Sequence, residues 1–175
     1  MQFQRLLIIG PPGAGKSTLG ARLAAGAGVP IVHLDSLFWS DGWVVRPAEE
    51  FRAELDRALG GDRWVIEGMF VSTLEERMRH ADHVLYLDFS TGLCLRRVLK
   101  RILSSYGRTR PDMAEGCPER FDWEFLRYVF SFRQNVRPQV EEILARQAGI
   151  SGCGVMRLTT PKQLANWLQE NGLSA

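Results

Sequence analysis

From Gly10 to Ser17 the chain reads Gly-Pro-Pro-Gly-Ala-Gly-Lys-Ser, directly after the apolar run Leu6-Leu7-Ile8-Ile9. Few folds tolerate that combination. A buried strand must end, the backbone must turn through glycines, and a helix must begin at once in Ser17-Thr18-Leu19-Gly20-Ala21-Arg22-Leu23-Ala24. The glycines allow successive N–H groups and the helix N-terminus to converge on one anion. The pattern therefore implies a phosphate cradle built from Gly10, Pro11, Pro12, Gly13, Ala14, Gly15, Lys16, Ser17 and Thr18. Lys16 is expected to reach the β- and γ-phosphates of ATP, and the Ser17 hydroxyl to hold Mg²⁺.

The 175 residues suit one domain with a real core, and no apolar stretch approaches the roughly 20 residues that span a bilayer. The N-terminus lacks the basic, apolar and small-residue pattern of a secretory signal, so a cytoplasmic location is expected. Cys94, Cys117 and Cys153 are odd in number and share no CxxC spacing, which points to reduced structural thiols rather than disulfides or zinc. A net charge of +2 does not describe a general nucleic-acid binder. The distribution is more telling, because no acid falls between Asp88 and Asp112 while Arg96, Arg97, Lys100, Arg101, Arg108 and Arg110 do.

Strands are expected over Arg5 to Ile9, Pro30 to Leu34, Trp64 to Ile66, His83 to Phe89 and Gly154 to Leu158, each rich in β-branched or large apolar residues. Helices fall between them. Pro47 opens Ala48 to Leu59, Ser72 with Glu75 reads as a capping box, and Thr160-Pro161 starts a helix over Lys162 to Gln169. This alternation predicts a three-layer α/β fold, a parallel sheet with helices on both faces, whose ligands sit beyond the carboxyl ends of the strands. Two carboxylates follow strands there. Asp35 is placed to accept a proton from an acceptor hydroxyl, to orient Mg²⁺-bound water, or simply to cap a helix. Glu67 is placed to support Mg²⁺. Phe38, Trp39 and Trp43 either line an acceptor pocket or pack beneath the next helix.

Leu93 to Leu103 reads as an amphipathic helix with Arg96, Arg97, Lys100 and Arg101 on one face and Cys94, Leu95, Val98, Leu99 and Ile102 on the other. Beyond it, Ser104 to Arg120 carries Gly107, Pro111, Gly116 and Pro118 among its arginines, which predicts a mobile cationic lid over the triphosphate. Arg108 and Arg110 would neutralise charge on the transferring phosphoryl group.

Taken together these features resemble the nucleoside monophosphate kinase-like group of P-loop kinases, which includes adenylate, shikimate and gluconate kinases. The resemblance implies a five-stranded P-loop NTPase sheet in the order 2-3-1-4-5. It also implies that Arg97 and Arg101, nine and thirteen residues after Asp88, contact adenine and phosphates, and that Arg133 or Arg137 joins them after the lid. A narrower resemblance is to the small bacterial DNA topology modulation proteins, carried by His33-Leu34-Asp35-Ser36-Leu37-Phe38-Trp39 and by Arg110 to Glu119. That family typically has Asp-Gly-Asn-Tyr where this chain has Glu67-Gly68-Met69-Phe70. Adenylate kinases have Asp-Gly-Phe-Pro-Arg there, so the arginine that grips AMP is missing, with Arg46 as a partial substitute. The expected activity is ATP- and Mg²⁺-dependent phosphoryl transfer to a small-molecule or nucleotide acceptor. The alternative is a regulatory ATP-binding protein whose cationic loop contacts DNA.

Overall fold

The computed structural model describes residues 3–147 and 152–173. The chain opens with strand β1 (Arg5–Ile9) and helix α1 (Lys16–Ala27), then β2 (Ile31–His33), the short α2 (Leu34–Phe38), and a small hairpin of β3 (Trp39–Ser40) and β4 (Val44–Val45) joined by a 3₁₀ turn over Asp41–Trp43. It continues through α3 (Ala48–Leu59), β5 (Trp64–Glu67), α4 (Val71–His80), β6 (His83–Leu87), α5 (Thr91–Ser105), α6 (Trp123–Asn135), α7 (Arg137–Gln147), β7 (Gly154–Leu158) and α8 (Pro161–Glu170).

Five strands form one parallel sheet in the order β2-β5-β1-β6-β7, which is 2-3-1-4-5 when only sheet strands are counted, as expected. Strand β1 shows why it is central. Its side chains alternate between two cores, Leu6 and Ile8 against α1, α5 and α8 on one face, Leu7 and Ile9 against α3, α4 and α7 on the other. Each is fully buried, and each contributes about 1.5–3 kcal/mol relative to exposure.

Local signals set several boundaries. The Thr160 side chain accepts from the Gln163 N–H with Pro161 in the first helical turn, and Asp122 caps α6 through the Phe125 N–H. The capping box does not form. Helix α4 starts one residue before Ser72, with Phe70 at its N-cap position and no side-chain cap. Leu99 is exposed on α5, so the apolar face of that helix consists of buried Cys94, Val98 and Ile102 with half-buried Leu95 packed beside them. No disulfide joins Cys94, Cys117 and Cys153.

Candidate active site

The carboxyl ends of β1, β2 and β5 meet in register, with Ile8 beside Glu67 and His33 beside Glu67 across the neighbouring strand. Directly above, the glycine-rich turn enters α1 with Gly15 in the left-handed region (φ 95°), so the first N–H groups of a twelve-residue helix point out of the sheet edge. Gly13 is required for a second reason. A Cβ there would lie 2.5 Å from the main-chain oxygen of Cys94, so the loop packs on α5 only because that position is bare.

Lys16 donates from Nζ to the Pro11 carbonyl (3.2 Å), a hydrogen bond that an arriving phosphate can replace. The Ser17 hydroxyl donates to Glu67 Oε1 (3.0 Å), and His33 Nδ1 lies 2.7 Å from the same oxygen. Glu67 is 1% exposed, and its other oxygen, Oε2, is buried without a hydrogen-bond partner among the described residues. A buried carboxylate oxygen beside a serine hydroxyl is the hard donor set that Mg²⁺ takes. No group of three or more His, Cys, Asp or Glu side chains among the described residues could hold an ion, so oxygens of a bound phosphate would have to complete the shell.

Burial lowers the pKa of His33, but the hydrogen bond to Glu67 and the charges of Glu67, Asp112 and Asp35 outweigh it and leave the imidazole raised. Asp35, on the first turn of α2, lines the same cleft. Burial pushes its carboxyl above the usual range and Lys16 partly offsets this. Asp112 behaves oppositely. Burial opposes its charge, but Arg110 and a hydrogen bond from Ser17 hold its pKa down.

The cleft has a volume of about 930 Å³. Its floor is the P-loop and Asp35, and its walls come from α2 and the hairpin, the Met69–Val71 turn, α5, α6 and the segment after α5. Arg97 reaches it and donates to the Ala14 carbonyl (3.0 Å) with its guanidinium over Phe89. Arg101 and Arg110 both pair with buried Glu119 (3.1 and 2.9 Å), and Arg110 also bonds Asp112 (2.6 Å). Desolvation and the neighbouring Arg110 charge lower the Arg101 pKa despite Glu119.

Residues 106–120 contain only isolated bridges and turns, and they fold down onto the hairpin. The Gly42 N–H donates to Gly116 O (3.0 Å), the Trp43 indole to Pro118 O (3.1 Å), and the Cys117 thiol to Ser40 O (3.2 Å). That clasp sets Arg110, Asp112 and Met113 over the cleft.

Three arginines expected at the phosphates lie elsewhere. Arg137 is tied by Nε to Asp88 (3.2 Å) and by Nη2 to Glu141 (3.1 Å), with Arg157 on the same Asp88 oxygen. Arg133 and Arg108 are exposed and do not line the cleft. Arg46 also turns away, its Nε donating to the Leu37 carbonyl (2.8 Å). Conversely, His33, Asp112, Glu119 and Tyr128 join the site without having been expected there. His33 and the Arg110 to Glu119 segment carried a signal only through the family resemblance, and Tyr128 carried none.

Beneath the cleft lies Arg77, which is 0% exposed. Its guanidinium donates to the carbonyls of Gly68 (3.2 Å), Met69 (2.7 Å) and Phe70 (2.8 Å), and Nε to Thr73. This anchors a turn in which Gly68 has φ 138° and Phe70 the strained φ 23°. Gly68 cannot carry a side chain, because a Cβ would meet the Leu34 Cβ at 2.7 Å.

No family model matches the chain. The adenylate kinase of Kocuria rhizophila is 32% identical over 78 residues, covering 45% of this chain and 40% of that protein. This chain therefore aligns with less than half of that relative's length. The shikimate kinase of Rhodococcus jostii is 28% identical over 90% of this chain and 96% of that one. The solved shikimate kinase from Acinetobacter baumannii in complex with shikimate superposes over 98% of this chain and 94% of that chain with a TM-score of 0.55 at 18% identity, which establishes the shared fold. The chain is thus similar in sequence to an adenylate kinase and a shikimate kinase, both P-loop kinases, and shares the fold of a solved shikimate kinase.

Proposed function

We propose that this chain transfers the γ-phosphoryl group of ATP, with Mg²⁺, to a hydroxyl of a small acceptor. The observation that carries this reading is the convergence of Lys16, Ser17 and Asp35 on the floor of one cleft, with buried Glu67 hydrogen-bonded to Ser17, a cleft that continues past the P-loop into a ring-lined hollow. The P-loop N–H groups and Lys16 would bind the β- and γ-phosphates, with Arg97 and Arg101 beside them. Ser17 and Glu67 Oε2 would hold Mg²⁺, which supplies charge neutralisation along the phosphates. Asp35, with its raised pKa, takes the proton of the acceptor hydroxyl. Arg110 stays paired with Asp112 and Glu119 at the edge of the cleft, where its fixed charge adds to the positive field around the transferring group without a reorganisation cost. The segment over residues 104–120 acts as a lid in this reading, clasped to the acceptor wall.

The narrower reading as a DNA-contacting topology modulator draws no support from these surfaces. Arg97, Arg101 and Arg110 turn into the cleft, leaving Arg96, Lys100 and Arg108 outside. The test is ADP release with an acceptor panel, alongside calorimetry with a non-hydrolysable ATP analogue and Mg²⁺. Lys16→Ala should abolish turnover and weaken analogue binding while leaving the thermal midpoint unchanged. Unaltered analogue affinity in that variant would remove the basis of the assignment.

A further inference from the structure

The half of the cleft beyond the P-loop is walled by rings. Phe38, Trp39, Trp43 and Phe70 are half-buried and each lines the cleft. They brace one another, Phe38 edge to face against Trp39 with centroids 5.0 Å apart, Trp39 edge to face against Trp43 at 5.5 Å, and Phe38 tilted against Phe70 at 4.9 Å. Asp35 supplies a carboxylate at the base of this wall.

The cations divide in an uneven way. Around the P-loop, Lys16, Arg22 and Arg97 hydrogen-bond main-chain carbonyls of the described residues, so their charge stays available to a polyanion. Toward the rings every arginine is committed. Arg110 is paired with Asp112 and Glu119, and Arg120 lies over Trp43 and pairs with Asp122 (3.5 Å). Arg46 faces Leu37 O and Glu50, and Arg77 is spent on the turn carbonyls below. A phosphate or carboxylate on the acceptor would have to draw Arg110 away from Asp112, leaving that half-buried carboxylate without its arginine, and from buried Glu119, which would keep Arg101 alone.

We propose that the acceptor is an uncharged alcohol carrying a planar heteroaromatic ring, a nucleoside being the simplest probe of the class; this rests on the kinase reading above. The ring stacks on the Trp39 and Phe70 side of the wall, and the hydroxyl reaches Asp35. In the transfer the hydroxyl oxygen forms a bond to the γ-phosphorus as the bond to the β–γ bridging oxygen breaks. The hydroxyl proton passes to the Asp35 carboxylate, ADP leaves with the electron pair, and the proton is later released to water.

The experiment is calorimetry on the full chain saturated with a non-hydrolysable ATP analogue and Mg²⁺, so that the nucleotide site is filled. Nucleosides are titrated against their own 5′-monophosphates, with shikimate as a carboxylate-bearing alcohol. At least one nucleoside is expected to bind at least about tenfold more tightly than its monophosphate, with shikimate failing to bind. Trp39→Leu should weaken that nucleoside by about tenfold, the scale of one lost stacking contact, without changing analogue affinity. Trp43→Leu serves as a second variant if the first does not fold. A monophosphate that binds as tightly as its nucleoside, or failure of every nucleoside while the analogue binds, overturns the inference and leaves the kinase reading standing. Failure of the analogue itself to bind overturns both.

Discussion

Replacing Arg77 by Met tests whether a buried cation shapes the acceptor half of the site. The side chains have similar length, so the change removes donors more than volume. Two main-chain oxygens, those of Gly68 and Met69, lose the guanidinium that satisfies them, while Phe70 O keeps the Thr73 N–H and hydroxyl. Leaving a buried acceptor unpaired costs about 1–3 kcal/mol, so two give about 2–6 kcal/mol. Removing the charge offsets part of this, since burial already lowers the Arg77 pKa to about 9. A net loss of about 3 kcal/mol follows, or about 6–12 °C in thermal midpoint for a chain of this size. The turn also carries Met69 and Phe70 into the cleft, whereas the P-loop is built independently on β1 and α1. The variant should therefore raise the acceptor KM several-fold and leave ATP-analogue affinity unchanged. Urea unfolding and calorimetry on the same preparation provide both readouts. Destabilisation below about 1 kcal/mol would refute the hydrogen-bond accounting, since it lies under the cost of one orphaned carbonyl. Lost ATP affinity with an unchanged acceptor KM would refute the division of the cleft.

The other expectations address the charges around the phosphates. Asp35→Asn should lower kcat by about 10²-fold or more, the scale of a lost general base. Because burial raises the Asp35 pKa, its ionised form costs stability as pH rises through that value, so the same variant should melt higher at neutral pH and lose the acid limb of kcat/KM for the nucleotide. An unchanged pH profile would exclude Asp35 as the base. Glu67→Gln should raise the Mg²⁺ concentration for half-maximal turnover, and the wild-type chain should show no calorimetric Mg²⁺ binding until an ATP analogue is added. Arg110→Ala should reduce kcat far more than Arg108→Ala, whose side chain is exposed; equal losses would mean the segment rearranges once nucleotide is bound.

What could be read from the sequence was local. The P-loop, the strand pattern and the Thr160-Pro161 helix start depend on residues adjacent in the chain, and each has the structure its chemistry dictates. The Ser72 capping box failed because Arg77, a full turn and more into α4, binds the carbonyls before the helix and moves its start to Val71. The family resemblance pointed Arg97 and Arg101 toward the nucleotide, and they reach the cleft because they share a helix with the residues packed against the P-loop. It could not place Arg137, because the competing partner is Asp88, just past β6 and 49 positions earlier, reinforced by Arg157. The contacts of His33, Asp112 and Tyr128 could not be read for the same reason. Their roles exist only once β2 lies beside β5 and the segment after α5 folds back over Ser17.

The clasp between Ser40–Trp43 and Gly116–Pro118 has a mechanical consequence. Three hydrogen bonds join the ring-bearing hairpin to the segment that carries Asp112 and Arg110, so a push on either is felt by both. A molecule wedged against Trp43 strains the same hinge that holds a carboxylate beside Ser17. Under the proposed function, this link would let occupancy of the ring-lined half reach the segment beside Ser17 before transfer begins.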